Sequence, residues 1–318
     1  MSTTAWITRP GPQVDPATRT RHPSIGLALA LAGMMLTVIA AFISAAVIDR
    51  IATGGDTSNL TTAFALNTFG LGVIKVGIAV VLVGIVLGLW RRVSAVTSAL
   101  PKLRAAAGLP PPGPSSPMVT TTTAYGTTEI TATAPDPLPI HRMAERLWLP
   151  MLVMGAMALT IGLFVGLGAA GAEAGSESSR QLSAWAQGTL FLGEGLLLAG
   201  IALLLGTILS GLRRGGAEVQ ESLGVPVQTL AMPATAKVFI GLMMLGMMAA
   251  IAQFVLYGVA AANAADASAY AVLVTWLGPL REVALGVLLA SIVLALATIA
   301  RALGFQFHRI RQLAAADA

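Results

Sequence analysis

Cysteine is absent from all 318 residues, which excludes disulfides, thiolate metal sites, iron–sulfur clusters and cysteine nucleophiles. Charge is also scarce, at 10% Asp, Glu, Lys and Arg against roughly 25% in soluble domains. Histidine occurs three times, as His22, His141 and His308. Each falls near the basic end of an apolar run, so the facing His pairs that a bis-imidazole haem requires are missing. No Walker lysine loop, glycine-rich dinucleotide turn, His-Glu-x-x-His helix or Gly-x-Ser-x-Gly elbow occurs in a supporting context. These absences predict a protein without enzymatic activity, cofactor or metal.

What the chain has in abundance is apolar length. Hydrophobic residues make up 56% of it, and six nearly uncharged stretches stand out: Ser24 to Ile48, Ala63 to Trp90, Leu147 to Ala172, Gln181 to Leu212, Val238 to Ala265 and Ala267 to Ala300. A hydrocarbon core about 30 Å thick needs about 20 helical residues to cross it, and each stretch suffices. Backbone polar groups in lipid must be satisfied within their own element, and no ten-residue alternation of a β-barrel is visible. The predicted fold is therefore all-α, a polytopic transmembrane bundle of six helices arranged as three hairpins.

The formal net charge of +5 reads as a topology signal rather than a nucleic-acid footprint, because its placement is one-sided. If hairpins alternate sides, the loops on one side carry only Arg50 and Arg180. Every other Lys and Arg outside the spans, from Arg9 to Arg311, falls on the opposite side. The positive-inside bias predicts a cell-membrane protein with both termini cytoplasmic. Trp90 and Trp148 fall at the predicted inner interface and Trp185 and Trp276 at the outer one, as amphipathic rings prefer. The polar tail through His22 precedes an apolar run too long for the 7 to 15 residues of a signal-peptide core, so the first span is expected to remain as an anchor.

The predicted organisation is a basic tail (1–23), hairpin one (24–92), a cytoplasmic linker (93–146), hairpin two (147–214), a connector (215–236), hairpin three (237–303) and a basic C-terminal tail (304–318). Within the linker, residues 108–139 carry Pro110-Pro111-Pro112-Gly113-Pro114 and Thr120 to Thr123. They are expected to be a disordered, semi-extended tether rather than a small hairpin around Tyr125-Gly126. The charged stretches Val93 to Ala107, Ala217 to Leu223 and Ala302 to Leu313 are expected to lie along the cytoplasmic interface.

The hairpins share features that raise the idea of a parallel triplicated unit. Gly33-Met34-Met35, Gly155-Ala156-Met157 and Gly241-Leu242-Met243 mark the opening spans. In the closing spans Glu194 precedes Arg213 and Glu282 precedes Arg301 by the same nineteen residues, while Lys75 precedes Arg91 by sixteen. Shared Leu, Ala, Gly and Val composition accounts for such likeness equally well.

Ionisable side chains within a membrane are costly, so each is a candidate functional position. There are four, Lys75, Glu194, Arg281 and Glu282, and a rise of 1.5 Å per residue puts them all in the outer third. Their formal charges cancel, so one reading is a polar cluster for a cation or proton in which Lys75 neutralises Glu194 or Glu282. The competing reading makes Gly278-Pro279 a helix start, with Arg281 and Glu282 marking the outer end of span six, and lets Lys75 snorkel outward. Glu194, flanked by Gly193 and Gly195, is the hardest to assign to a bland role. His141 and Glu145 at one-turn spacing read as a solvated helix start. Met151, Met154, Met157, Met243, Met244, Met247 and Met248 read as packing rather than soft-metal ligands. Gly84/Gly88, Gly162/Gly166 and Gly241/Gly246 allow close helix approach.

The expectation from sequence is a membrane-embedded accessory or scaffold subunit of a larger complex, with lipid around it. A protein partner or homo-oligomer would engage its spans and basic face. The alternative is a small transporter or channel with a polar site at Lys75, Glu194 and Glu282.

Overall fold

In a computed structural model, the described residues are 22–52, 58–106, 119–123, 126–131, 138–223 and 226–316, with the single positions 134 and 136. Six helices dominate: α1 (His22–Ala52), α2 (Ser58–Ala106), α3 (Pro139–Gly171), α4 (Glu177–Leu223), α5 (Ala234–Ala262) and α6 (Ala267–Ala316). All six contain a span long and apolar enough to cross a membrane, so the chain is a multi-pass, all-α membrane bundle. Its outward surface agrees: Phe42, Phe164, Met248 and Trp276 are all more than 60% exposed, as side chains facing lipid should be. The tail containing Trp6 and the Pro-rich run 110–114 lie outside the described residues.

Consecutive helices pair as α1/α2, α3/α4 and α5/α6, and the hairpins sit side by side with α4 at the centre. Of the α4 span, 78% is buried, against 17–28% in the other five, so one helix serves as the hub for the rest. Close backbone approach builds these contacts. A Cβ on Gly155 of α3 would come within 3.0 Å of the Gly193 carbonyl oxygen, and one on Gly193 within 2.9 Å of the Gly155 oxygen. Gly33 and Gly70 meet reciprocally between α1 and α2. In lipid, where apolar burial no longer drives helices together, such contact of small residues supplies the dispersion energy. Among the glycines singled out in sequence, Gly162, Gly166 and Gly246 meet a neighbouring helix, whereas Gly88 and Gly241 face open space.

Helices α5 and α6 bury seams that step alternately by three and four residues. On α5 the seam runs Ala236, Phe239, Met243, Gly246, Ala250, Gln253, Tyr257 and Ala260; on α6 it includes Leu277, Ala284, Leu288, Ser291, Ala295, Thr298, Phe305 and Arg309. This is the 3.5-residue repeat of a left-handed coiled coil. The methionines divide accordingly, with Met243 buried and Met154, Met157, Met244 and Met248 facing outward.

The helix caps follow from local chemistry. Ser176 Oγ accepts the Ser179 amide at the start of α4. Asp266 Oδ1 accepts the amides of Ser268 and Ala269, at 2.9 and 3.1 Å, at the start of α6. With an acceptor reaching the second and third free amides, α6 begins there, not at Gly278-Pro279. Pro279 lies inside the helix, where it removes the amide that would bond the Thr275 carbonyl.

Two expectations for the basic end need correction. Residues 93–107, 217–223 and 302–313 do not form separate interfacial segments. Over 93–106 and throughout the other two stretches they continue α2, α4 and α6 without a break. At 1.5 Å per residue the 47 residues of α4 extend about 70 Å, far past the hydrocarbon. Over 119–123 and 126–131 the Thr-rich part of the linker is paired strand, not a semi-extended tether. Strands β1 (Val119–Thr123) and β2 (Gly126–Thr131) pair antiparallel, with Thr123 opposite Gly126, and β3 (Val227–Leu230) from the second connector adds to β2. β-branched threonines favour a pleated surface, and a third strand stabilises a hairpin that is marginal alone. The Gln228 amide donates to Gln220 Oε1 and the Ala134 amide to Glu221 Oε2, fastening both connectors to the end of α4.

Candidate functional site: a buried ion triad

The glycines beside Glu194 fix its surroundings. Gly193 lets α3 close against one flank of α4. Gly195 does the same for α5, since a Cβ there would stand 2.6 Å from that of Ala250. Glu194 is thereby sealed to 1% exposure in the middle of the bundle.

Two cations reach it from opposite sides. Lys75 of α2 donates from Nζ to Glu194 Oε1 at 2.6 Å, and Arg281 of α6 donates from Nη2 to Oε2 at 2.8 Å. These are charge-assisted bonds of short length, and both carboxylate oxygens are engaged. The side chains of Lys75 and Arg281 are 17% and 14% exposed, so neither snorkels free. The Arg281 guanidinium also lies 5.3 Å from the Phe64 ring centroid and 5.9 Å from that of Phe191, within the range of cation–π attraction. One carboxylate on the hub thus joins all three hairpins.

Of the four intramembrane positions, Lys75, Glu194 and Arg281 come together, while Glu282 is exposed on another face of α6. Successive residues on a 3.6-residue helix point about 100° apart, so only one of the adjacent pair can occupy the buried seam. The charge balance changes with it: Lys75 does pair with Glu194, as one of the two sequence readings has it, but Arg281 joins in place of Glu282, and two cations on one anion leave a net positive site.

A polar second layer completes the region. Gln253 of α5, fully buried, donates its amide to the Leu277 carbonyl one turn before Arg281. Gln253 Oε1 and Arg281 Nε are both buried without a hydrogen-bond partner among the described residues. Toward the end of the bundle away from the basic residues, Phe64 lines a cavity of about 230 Å³ with Ser183 and Gln187 of α4. Gln253, Phe64 and Phe191 are members that sequence reasoning missed; the seam positions of α5 would have exposed Gln253 as a polar residue among apolar ones. His141 and Glu145 do not form a shared site: Glu145 accepts from Ser210 Oγ, and His141 lines an inward cavity. No group of three His, Cys, Asp or Glu residues placed to hold a metal occurs among the described residues.

Fold and triad together define a polytopic α-helical membrane protein with an internal electrostatic junction. No protein-family model, curated protein or solved structure matches the chain.

Proposed function

We propose that the protein is a membrane-embedded accessory or scaffold subunit without enzymatic activity, residing in the cell membrane with both termini cytoplasmic, and that the triad is a structural clasp. The carrying observation is the saturation of Glu194: both oxygens are bonded and the side chain is sealed. A carboxylate so occupied holds helices together instead of exchanging ions. The long α2, α4 and α6 extensions and the three-stranded sheet give the basic end a built surface on which a partner can dock. Extraction in mild detergent should recover the protein with a stoichiometric partner. Recovery solely as a lone protomer or homo-oligomer would refute this reading.

A second reading, a small transporter, draws on the unpartnered Gln253 Oε1 and Arg281 Nε beside the triad. Its site would comprise Lys75, Glu194 and Arg281, without Glu282, and its net positive charge suits an anion. Flux into liposomes that is unchanged by Glu194→Gln would eliminate it.

A further inference from the structure

At the basic end of the bundle, about 28 Å along α4 from Glu194, a second group of charges, buried or half-buried, surrounds a cavity. Arg213 of α4 and Arg309 of α6 line it together with His141, Gln306 and Thr298, and the rest of the wall is apolar, including Met232 and Phe305. Its volume is about 80 Å³. A buried water needs roughly 10–15 Å³ of such space, so a group the size of a phosphate fits.

The two guanidiniums are under-satisfied. Arg309 is 3% exposed, stacks 4.5 Å from the Phe305 centroid and, among the described residues, donates only a long 3.3 Å bond to Gln306 Oε1. The Nε atoms of both Arg213 and Arg309 are buried without a partner among the described residues. Glu129 of β2 attracts Arg213, yet no ion pair forms to either arginine among the described residues. Burial, reinforced by repulsion from Arg213, pulls the Arg309 guanidinium down to about 10. One buried and one half-buried cation that repel each other across one cavity constitute an electrostatic site for an anion. Arginine forks suit phosphate oxygens, which accept two parallel bonds, and basic pockets between membrane helices are suited to phospholipid headgroups.

We propose that this cavity binds a phosphate group, gripped by Arg213 and Arg309, with an apolar body running along the wall formed by Met232 and Phe305. The phosphate can come from an anionic phospholipid of the adjacent leaflet or from a soluble phosphate compound.

The test uses the full-length protein, purified in detergent and stripped of lipid. Thermal unfolding and native mass spectrometry are followed with phosphatidylglycerol, phosphatidylcholine or inorganic phosphate. A ligand that binds only the folded state raises its melting temperature. Stabilisation by phosphatidylglycerol with retention of a single lipid supports the lipid source, whereas saturable stabilisation by inorganic phosphate alone supports the soluble one. Either effect should weaken about tenfold or more in Arg309→Gln and persist in Lys237→Gln, which removes an exposed cation on α5 outside the cavity. Should Arg309→Gln fail to fold, Arg213→Gln makes the same comparison. Absence of stabilisation by all three probes, or equal binding by the arginine variants and wild type, overturns the proposal.

Discussion

Replacing Glu194 by Gln keeps the shape of the side chain and removes the only negative charge of the triad. Lys75 and Arg281 are then left facing each other across an uncharged side chain, both more than four-fifths buried. Removing one partner from a buried ion pair costs about 3–5 kcal/mol, because the remaining charge stays desolvated. The Gln carbonyl can still accept one bond, so about 4 kcal/mol is expected, a large share of a net stability of about 5–15 kcal/mol. Lys75→Met should behave differently. It withdraws one of two cations and leaves Glu194 matched with Arg281, at a cost of about 1 kcal/mol. Arg281→Met should fall between them at about 2 kcal/mol, since it also forfeits the attraction to Phe64 and Phe191. Combining Lys75→Met with Glu194→Gln should recover more than about 1 kcal/mol of the Glu194→Gln loss, a coupling that a double-mutant cycle reads directly. Reversible unfolding in mixed detergent micelles supplies all four free energies. A Glu194→Gln protein within about 0.5 kcal/mol of wild type, or a Lys75→Met protein less stable than Glu194→Gln, would refute the clasp.

Three further outcomes follow from other parts of the molecule. Gly193→Val should destabilise by about 1–3 kcal/mol through overpacking, because its Cβ would meet α3 backbone at 2.8–2.9 Å; Gly241→Val, in open space, should melt like wild type. The Asp266 carboxyl is held below its usual range by the Ser268 hydroxyl first and the Ala269 and Ser268 amides next. Its contribution is present above the ordinary carboxylate pKa of about 4 and is lost as pH falls through the lower folded value. Asp266→Asn should therefore flatten the melting-temperature profile below about pH 4; an unchanged profile counts against the cap. Because the chain has no cysteine, Asn263→Cys is a clean reporter. An impermeant maleimide should label it on intact cells and label His308→Cys only after permeabilisation; the reverse pattern inverts the proposed topology.

The six spans and their pairing were legible because hydropathy over twenty residues is set by the solvent and needs no knowledge of neighbours. Which side chains converge was harder to read. Arg281 and Glu282 are adjacent, and composition cannot tell which faces inward, although the 3.5-residue seam from Leu277 through Ala284 and Leu288 to Phe305 contains position 281 and omits 282. The Gly278-Pro279 pair resembled a helix start because local propensity favours one there; the Asp266 cap and packing against α4 override it. Strands β1 and β2 read from their own residues as a tether, because their stability depends on β3, nearly one hundred residues later, a long-range pairing with no local signature. The paired glycines all sit within apolar spans, and only the packed bundle separates Gly162, against α4, from Gly241, against nothing.

Synthesis delivers the three members of the clasp in a fixed order, Lys75, then Glu194, then Arg281. After two hairpins have entered the bilayer, the nascent protein already holds a balanced pair on its central rod. The last hairpin brings an additional positive group with no new counter-charge of its own on the buried seam, so its entry depends on docking against a surface its predecessors have completed. On charge alone the order is asymmetric: the earlier four helices pair Lys75 with Glu194 by themselves, whereas the buried Arg281 of the final hairpin finds its counter-charge, among the described residues, only on α4.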